Sequence, residues 1–286
     1  MNERQIIACV DRSDHATAVA DCASWVSRQI QAPIEFLQVI DRHLEQGSGE
    51  DHSGAIGVDA QERLLNKLLT SEREQSKMAR EQGRLFLNAL RERVLGQGVA
   101  VANSRLRHGT LVDCLLERQD DARVVVLGRR GESSDSADKP IGRSFEAAVR
   151  AVNRPVLGVH ARFNEPSRFL FAFDGSAVSK RGVKTVLESQ LFKGLQGTLL
   201  MVGDKNPQGD KLLAQAAQEL SDAGVPTEFH RALGDTVSEL VKGLERHEAD
   251  LLVMGAYTHS PLRKLFFGSV TTDILKATQV PALLLR

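Results

Sequence analysis

Short apolar runs of five to seven residues alternate with longer amphipathic stretches along the whole chain. In the second half the runs predict strands at about 168–173, 197–202, 226–231, 250–254 and 281–286. Helices are predicted between them at about 177–192, 210–223, 235–247 and 270–278. Leu212, Leu213, Ala216, Ala217 and Leu220 keep helical spacing, as do Val237, Leu240, Val241 and Leu244. Apolar, β-branched strands alternating with amphipathic helices predict a parallel sheet covered on both faces. Right-handed crossovers make such a sheet doubly wound. Gly98 and Gly224 stand at expected helix exits, where a positive φ is wanted.

The pattern occurs twice. Gln5–Ser13 (QIIACVDRS) matches Phe169–Ser176 (FLFAFDGS), each an apolar strand running into Asp-x-Ser. Ala122–Gly128 (ARVVVLG) matches Ala249–Gly255 (ADLLVMG). The same thirteen-residue step separates Gly142 from Pro155 and Gly268 from Pro281, and each Pro opens a short apolar strand. Such ordered landmarks indicate an internal repeat. The expected units are 1–162 and 163–286, hinged in the polar stretch Ala161–Ser167. The first unit is longer by an insertion at about 41–97. It holds a Gly-bearing polar loop (Gln46–Glu50, Gly54, Gly57) and a charged helix from about Ala60 to Leu95. Leu64, Leu65, Leu68 and Leu69 form an apolar stripe there, while Ser71–Gln82 is nearly all polar. That stretch reads as a solvated extension or a partner-binding arm.

Composition narrows the function. A chain of 286 residues with 42% hydrophobic and 26% charged residues is globular rather than disordered. Lys and Arg total 37 and so do Asp and Glu, and each half is balanced by itself. Nucleic acid or an anionic membrane is therefore not the expected partner. No run approaches a membrane span, and the first residues do not read as a signal peptide. Cys9, Cys22 and Cys114 fall inside predicted elements without metal or redox spacing, as expected of buried thiols in the cytoplasm. Trp25 is expected in the core.

Doubly wound sheets bind ligands beyond the carboxyl ends of their strands. After the fourth strand of the second half comes Gly255-Ala-Tyr-Thr258, then a loop, then Gly268-Ser269-Val270-Thr271-Thr272 opening the last helix. Glycines let backbone N–H groups approach an anion, and the first-turn N–H groups at Ser269, Val270 and Thr271 add a helix N-terminus. Ser269, Thr271 and Thr272 offer hydroxyls. The same residues also suit a plain cap and turn. Tyr257 stands beside the mouth, where it could pack on a base. Arg263 and Lys264 suit solvation or phosphate contact. His259 and His108 lie in expected loops with no partner visible for a catalytic triad.

These residues resemble the universal stress protein superfamily. Its pattern is an Asp ending strand one, Gly-x2-Gly-x9-Gly-Ser/Thr after strand four, and a closing Pro-Val-like strand. The resemblance covers essentially the whole chain, twice. It implies two flavodoxin-like α/β domains, each a five-stranded parallel sheet with helices on both faces. Some members bind ATP in this loop and others do not. The resemblance puts a nucleoside contact at Asp174 and phosphate contacts at Gly255, Gly268 and Ser269, with ATP, and Mg²⁺ beside it, as the cofactor; Thr258 and the first-turn residues Val270 and Thr271 complete the candidate set. The spacing is intact in the second half, but Thr258 stands where the family has its second Gly. Its side chain would either block a phosphate or supply a hydroxyl in place of a backbone donor.

The first half keeps Asp11, Gly128 and Gly131 but has ten residues before Gly142 and Arg143 in the Ser/Thr place. Glu132, Asp135 and Asp138 would repel a triphosphate. Arg129, Arg130 and Arg143 could offset them, Arg143 by taking the anion position, so nucleotide is expected in the second half. The fifth strands, edges in this family, can pair within the chain as Val156–Val159 with Ala282–Leu285, making a pseudo-dimer. A homodimer through the long helix is a further expectation. No Walker-type Gly-Lys-Ser/Thr or general base is evident. The expected function is a non-catalytic stress-response protein that binds or senses adenine nucleotide. The alternatives are a scaffold acting through protein partners and, less favoured, a weak ATPase or nucleotidyl transferase.

Overall fold

The computed structural model describes residues 4–40, 58–132, 141–255 and 269–286, and their side chains except at 58–76 and 269. Ten strands form one sheet in the order β3-β2-β1-β4-β5-β10-β9-β6-β7-β8. The first half supplies β1 (Gln5–Cys9), β2 (Ile34–Ile40), β3 (Ala102–His108), β4 (Ala122–Gly128) and β5 (Val156–Val159). The second supplies β6 (Arg168–Ala172), β7 (Gln196–Val202), β8 (Thr227–Ala232), β9 (Leu251–Gly255) and β10 (Ala282–Leu285). Within each half all pairings are parallel.

At the seam β5 and β10 pair antiparallel, Val156 with Leu284, Leu157 with Leu283 and Gly158 with Ala282. The two apolar edges expected from the sequence thus cover each other. The edges left open are β3 (ANSRLRH) and β8 (TEFHRA), both rich in polar and charged residues. Charged edges resist strand-to-strand association.

Eight α-helices are described: α1 (Ala16–Ile30), α2 (Val58–Gly96), α3 (Leu111–Arg118), α4 (Arg143–Ala151), α5 (Ala177–Glu188), α6 (Pro207–Asp222), α7 (Thr236–Arg246) and α8 (Ser269–Ala277). Alternate strand residues face opposite layers. Ile6 and Ala8 join α1, α2, α5 and α6 in one core, whereas Ile7 and Cys9 join α3, α4, α7 and α8 in the other. Trp25 is buried, and all three cysteines are buried thiols. Burial pushes the Cys9 and Cys22 thiols well above their ordinary range. Thr110, Ser176, Asn206 and Asp235 cap α3, α5, α6 and α7 through their side chains. Gly98 and Gly224 take φ of +88° and +85° at helix exits.

The inserted helix α2 docks by its C-terminal part. Leu87, Leu90 and Val94 are buried, and Arg93 grips Asp21 through two hydrogen bonds of 2.7 and 2.9 Å. From residue 77 to 85 its described side chains are mostly exposed, Met78 and Leu85 among them. The loop at Gln46–Gly57 and the stripe Leu64, Leu65, Leu68 and Leu69 lie outside the described residues or side chains. No described helix is long and apolar enough to cross a membrane.

Candidate functional site

The strand order reverses between β1 and β4, and again between β6 and β9. A crevice at the carboxyl ends of those strands is the expected ligand position. Asp11 follows β1 and Asp174 follows β6, each beside the Gly that ends its neighbour, Gly128 or Gly255. Both aspartates fold the following turn onto themselves. Asp11 Oδ1 accepts from the Ser13 N–H at 3.1 Å and its hydroxyl at 2.5 Å. Asp174 Oδ1 accepts from the Ser176 N–H at 2.9 Å. Desolvation pushes the Asp174 carboxyl up, but hydrogen bonds from Ser176 and Ser179 outweigh it and hold it below its ordinary range. The repeated Asp-x-Ser is therefore a local device for starting α1 and α5.

Beyond this device the described residues of the two halves differ. In the first half the chain just after β4 comes up to the aspartate, and the Glu132 N–H donates to Asp11 Oδ2 at 2.8 Å. Gly131 makes this possible: a Cβ there would stand 2.5 Å from Asp11 Oδ2. His15 fills the adjoining space, buried and edge-on to His160 with ring centroids 5.8 Å apart. Burial, then the nearby imidazole for His15 and the neighbouring Arg129 and Arg130 for His160, pushes both rings toward the neutral form. Gly131→Ala is expected to lift the loop off Asp11 and cost about 1–3 kcal/mol. Gly96→Ala, where an added Cβ meets nothing within 4 Å, is its control. Urea denaturation of the two variants checks the difference.

Arg129 corrects an expectation. It is 1% exposed and reaches across the seam to the C-terminal end of α8. Nη1 donates to the carbonyls of Leu275 at 2.8 Å and Thr278 at 2.6 Å, and Nη2 donates to Val280 at 2.5 Å. A cation at a helix C-terminus satisfies carbonyls that lack helical partners and opposes the dipole. Burial lowers this guanidinium to about 10, so it stays charged at neutral pH. Arg143 is the exposed first residue of α4, with Gly142 at the N-cap. Asp135 and Asp138 lie outside the described residues.

In the second half Asp174 is exposed. Gly255 ends β9, where a Cβ would stand 2.6 Å from Val178 Cγ1; at Gly128 it would stand 2.7 Å from His15 Cβ. Close approach of the first helix of each half thus demands glycine at both places, a packing reason additional to anion approach. Ser269 opens α8, Val270 is exposed, and Thr271 and Thr272 are half-buried. Because α8 links β9 to β10 in parallel, its N-terminus stands at the carboxyl ends of the strands, on the same rim as Asp174 and Gly255. Thr258 and Gly268 lie outside the described residues, as do Tyr257, His259, Arg263, Lys264 and the Ser269 side chain. Sequence reasoning missed a further matched pair on these rims. Gly109 and Gly234 follow the third strands with φ of +129° and +130°, each before a capping residue, Thr110 or Asp235. A Gly directly before a capping residue and an apolar-periodic run was the available signal.

Comparison with known proteins agrees with the repeat. The universal stress protein family model matches residues 3–160 and again 166–286. Universal stress protein Slr1230 of Synechocystis sp. is 30% identical over 286 residues, covering 99% of this chain and 100% of the relative. A universal stress protein structure from Archaeoglobus fulgidus superposes with a TM-score of 0.69 at 15% identity, covering 99% of this chain and 97% of that one. A second structure, a putative universal stress protein from Pseudomonas aeruginosa, gives 0.60 at 13% identity, with 99% and 93% covered. With both halves matched and the whole length aligned, the chain belongs to the universal stress protein family, as a tandem member.

Proposed function

We propose that this tandem stress-response protein binds adenine nucleotide, as ATP with Mg²⁺, in its second half alone. The functional units are 1–162 and 163–286. Asp174 takes the nucleoside side, and Gly255, Thr258, Gly268, Ser269, Val270 and Thr271 surround the phosphates, with Thr258 supplying its hydroxyl. The observation that carries this reading is the contrast between the two aspartates. Asp11 is engaged by the N–H of its own half's loop, whereas Asp174 is exposed beside a helix N-terminus. The first half then serves as a closed structural partner. The protein acts in the cytoplasm as a sensor rather than an enzyme, and neither nucleic acid nor a membrane enters this reading.

A pair of variants tests it by titration calorimetry with ATP–Mg²⁺. Gly268→Val is expected to abolish binding, since a branched side chain crowds the loop against the phosphates. Gly142→Val is expected to leave affinity within about twofold, circular dichroism confirming the fold of both. Equal loss in the two variants would sink the one-sided site. The departure at Thr258 favours the second reading, a scaffold that binds protein partners and no nucleotide; it predicts no heat from the unmodified protein.

A further inference from the structure

The amino ends of the second-half strands, opposite the nucleotide rim, carry a cluster that neither the repeat nor the proposed function uses. Glu228 and His230 are two residues apart on the open edge strand β8, so their side chains share a face. His247 follows α7 and comes to meet them. His230 Nε2 lies 3.1 Å from Glu228 Oε2, and the His230 and His247 rings are 4.4 Å apart with 34° between their planes. One ligand atom from each of the three residues lies within 4.8 Å of the others. A cleft of about 510 Å³ adjoins them, lined by Thr198, Thr227, Glu228 and His247, with Arg168 and Arg246 at its sides.

We infer that Glu228, His230 and His247 form a binding site for a borderline divalent cation of the zinc type. Two imidazoles and one carboxylate are a donor set that Zn²⁺ and Co²⁺ take up, and three protein ligands leave a fourth position for water from the cleft. Tetrahedral zinc at its usual bond lengths needs donor atoms about 3.3 Å apart. The Glu228–His230 pair already has that separation. His247 needs only a rotamer adjustment at a half-exposed position to reach it.

The first half shows what the same place looks like when protein cations fill it. Arg105 faces Leu37 across β2–β3 as His230 faces Leu200 across β7–β8. There Arg105 and Arg118 close on the buried carboxylate of Glu35, at 3.2 and 3.4 Å. In the second half Thr198 stands at the Glu35 register, opposite Glu228. Its two flanking arginines set the affinity: Arg168 is bound to Glu248, but Arg246 faces the cleft and opposes a second positive charge. The site is therefore a moderate one. It would staple the open edge strand to the end of α7, and at the amino ends of the strands it operates independently of the nucleotide mouth.

The test uses the full chain after metal removal, titrated with Co²⁺ alone and then with Zn²⁺ alone. The expected result is one equivalent of Co²⁺ with the visible absorption of a four-coordinate ion, displaced by Zn²⁺. His230→Ala and His247→Ala are expected to weaken binding at least about tenfold each, and Glu228→Gln similarly. All three positions are at the surface, so circular dichroism should be unchanged. Zn²⁺ should raise the melting temperature of the unmodified protein and not that of His247→Ala. Absence of Co²⁺ absorption, or absorption retained in the His230→Ala/His247→Ala double variant, overturns the inference.

Discussion

Leu283→Pro is expected to make the protein associate beyond the state of the unmodified chain. Leu283 is the middle of β10, which is bound on one side to β5 and on the other to β9. Proline removes a ladder donor and does not fit a central strand. The two halves then lose their only continuous strand pairing among the described residues, and the edges exposed are apolar, Val-Leu-Gly-Val in β5 and Leu-Leu-Val-Met-Gly in β9. Unpaired strands of that composition recruit other chains. Size-exclusion chromatography should show oligomers or material lost to aggregation, and deletion of 281–286 should do the same. Leu283→Val, which keeps the donor and the β propensity, should elute as the unmodified protein does. A proline variant with unchanged elution and an unchanged melting temperature would mean that the seam is not what holds the halves together.

Arg129→Met costs about 2–4 kcal/mol of stability. Methionine preserves much of the volume but leaves the carbonyls of Leu275, Thr278 and Val280 without the donors they now have. Each stranded buried acceptor costs on the order of 1–3 kcal/mol, partly offset because the guanidinium no longer has to be desolvated. Arg129→Lys should fall between, since one ammonium cannot span three carbonyls as a planar fork does. Trp25, the single tryptophan, reports on the first-half core in urea. An isothermal circular dichroism curve reports on both halves. The two curves should coincide in the unmodified protein and separate in Arg129→Met. A loss under about 0.5 kcal/mol would show that the crossing hydrogen bonds contribute little.

Much of this fold was legible because its two periodicities are distinct. Phe169–Phe173, between Arg168 and Asp174, and Leu251–Met254, between Asp250 and Gly255, are continuous apolar runs, and they became the central strands β6 and β9. Leu213, Ala216, Ala217 and Leu220 keep helical spacing and bury one face of α6. The pairing of the fifth strands followed from a general rule about apolar edges; its antiparallel sense is fixed by how the two halves meet, which no local residue encodes. Arg129 was misread for the same reason. Beside Arg130 and near acidic residues it looks like part of an anion site, and only the arrival of α8 across the seam gives it another destination. The glycines at 128 and 255 stand out in the sequence as positions for anion approach, whereas the close contact with His15 and Val178 is a tertiary fact. Glu228 and His230 share a face by simple alternation, but His247 joins them only once α7 has packed on the sheet.

The central claim is that one half of the chain has an open nucleotide site and the other a closed one. The number of ATP–Mg²⁺ sites per chain, measured by titration calorimetry on protein shown by mass spectrometry to carry no co-purified nucleotide, tests it most directly. One site per chain is the predicted result. Two sites would contradict the closure of Asp11 by its own loop, and none would contradict an open mouth at Asp174.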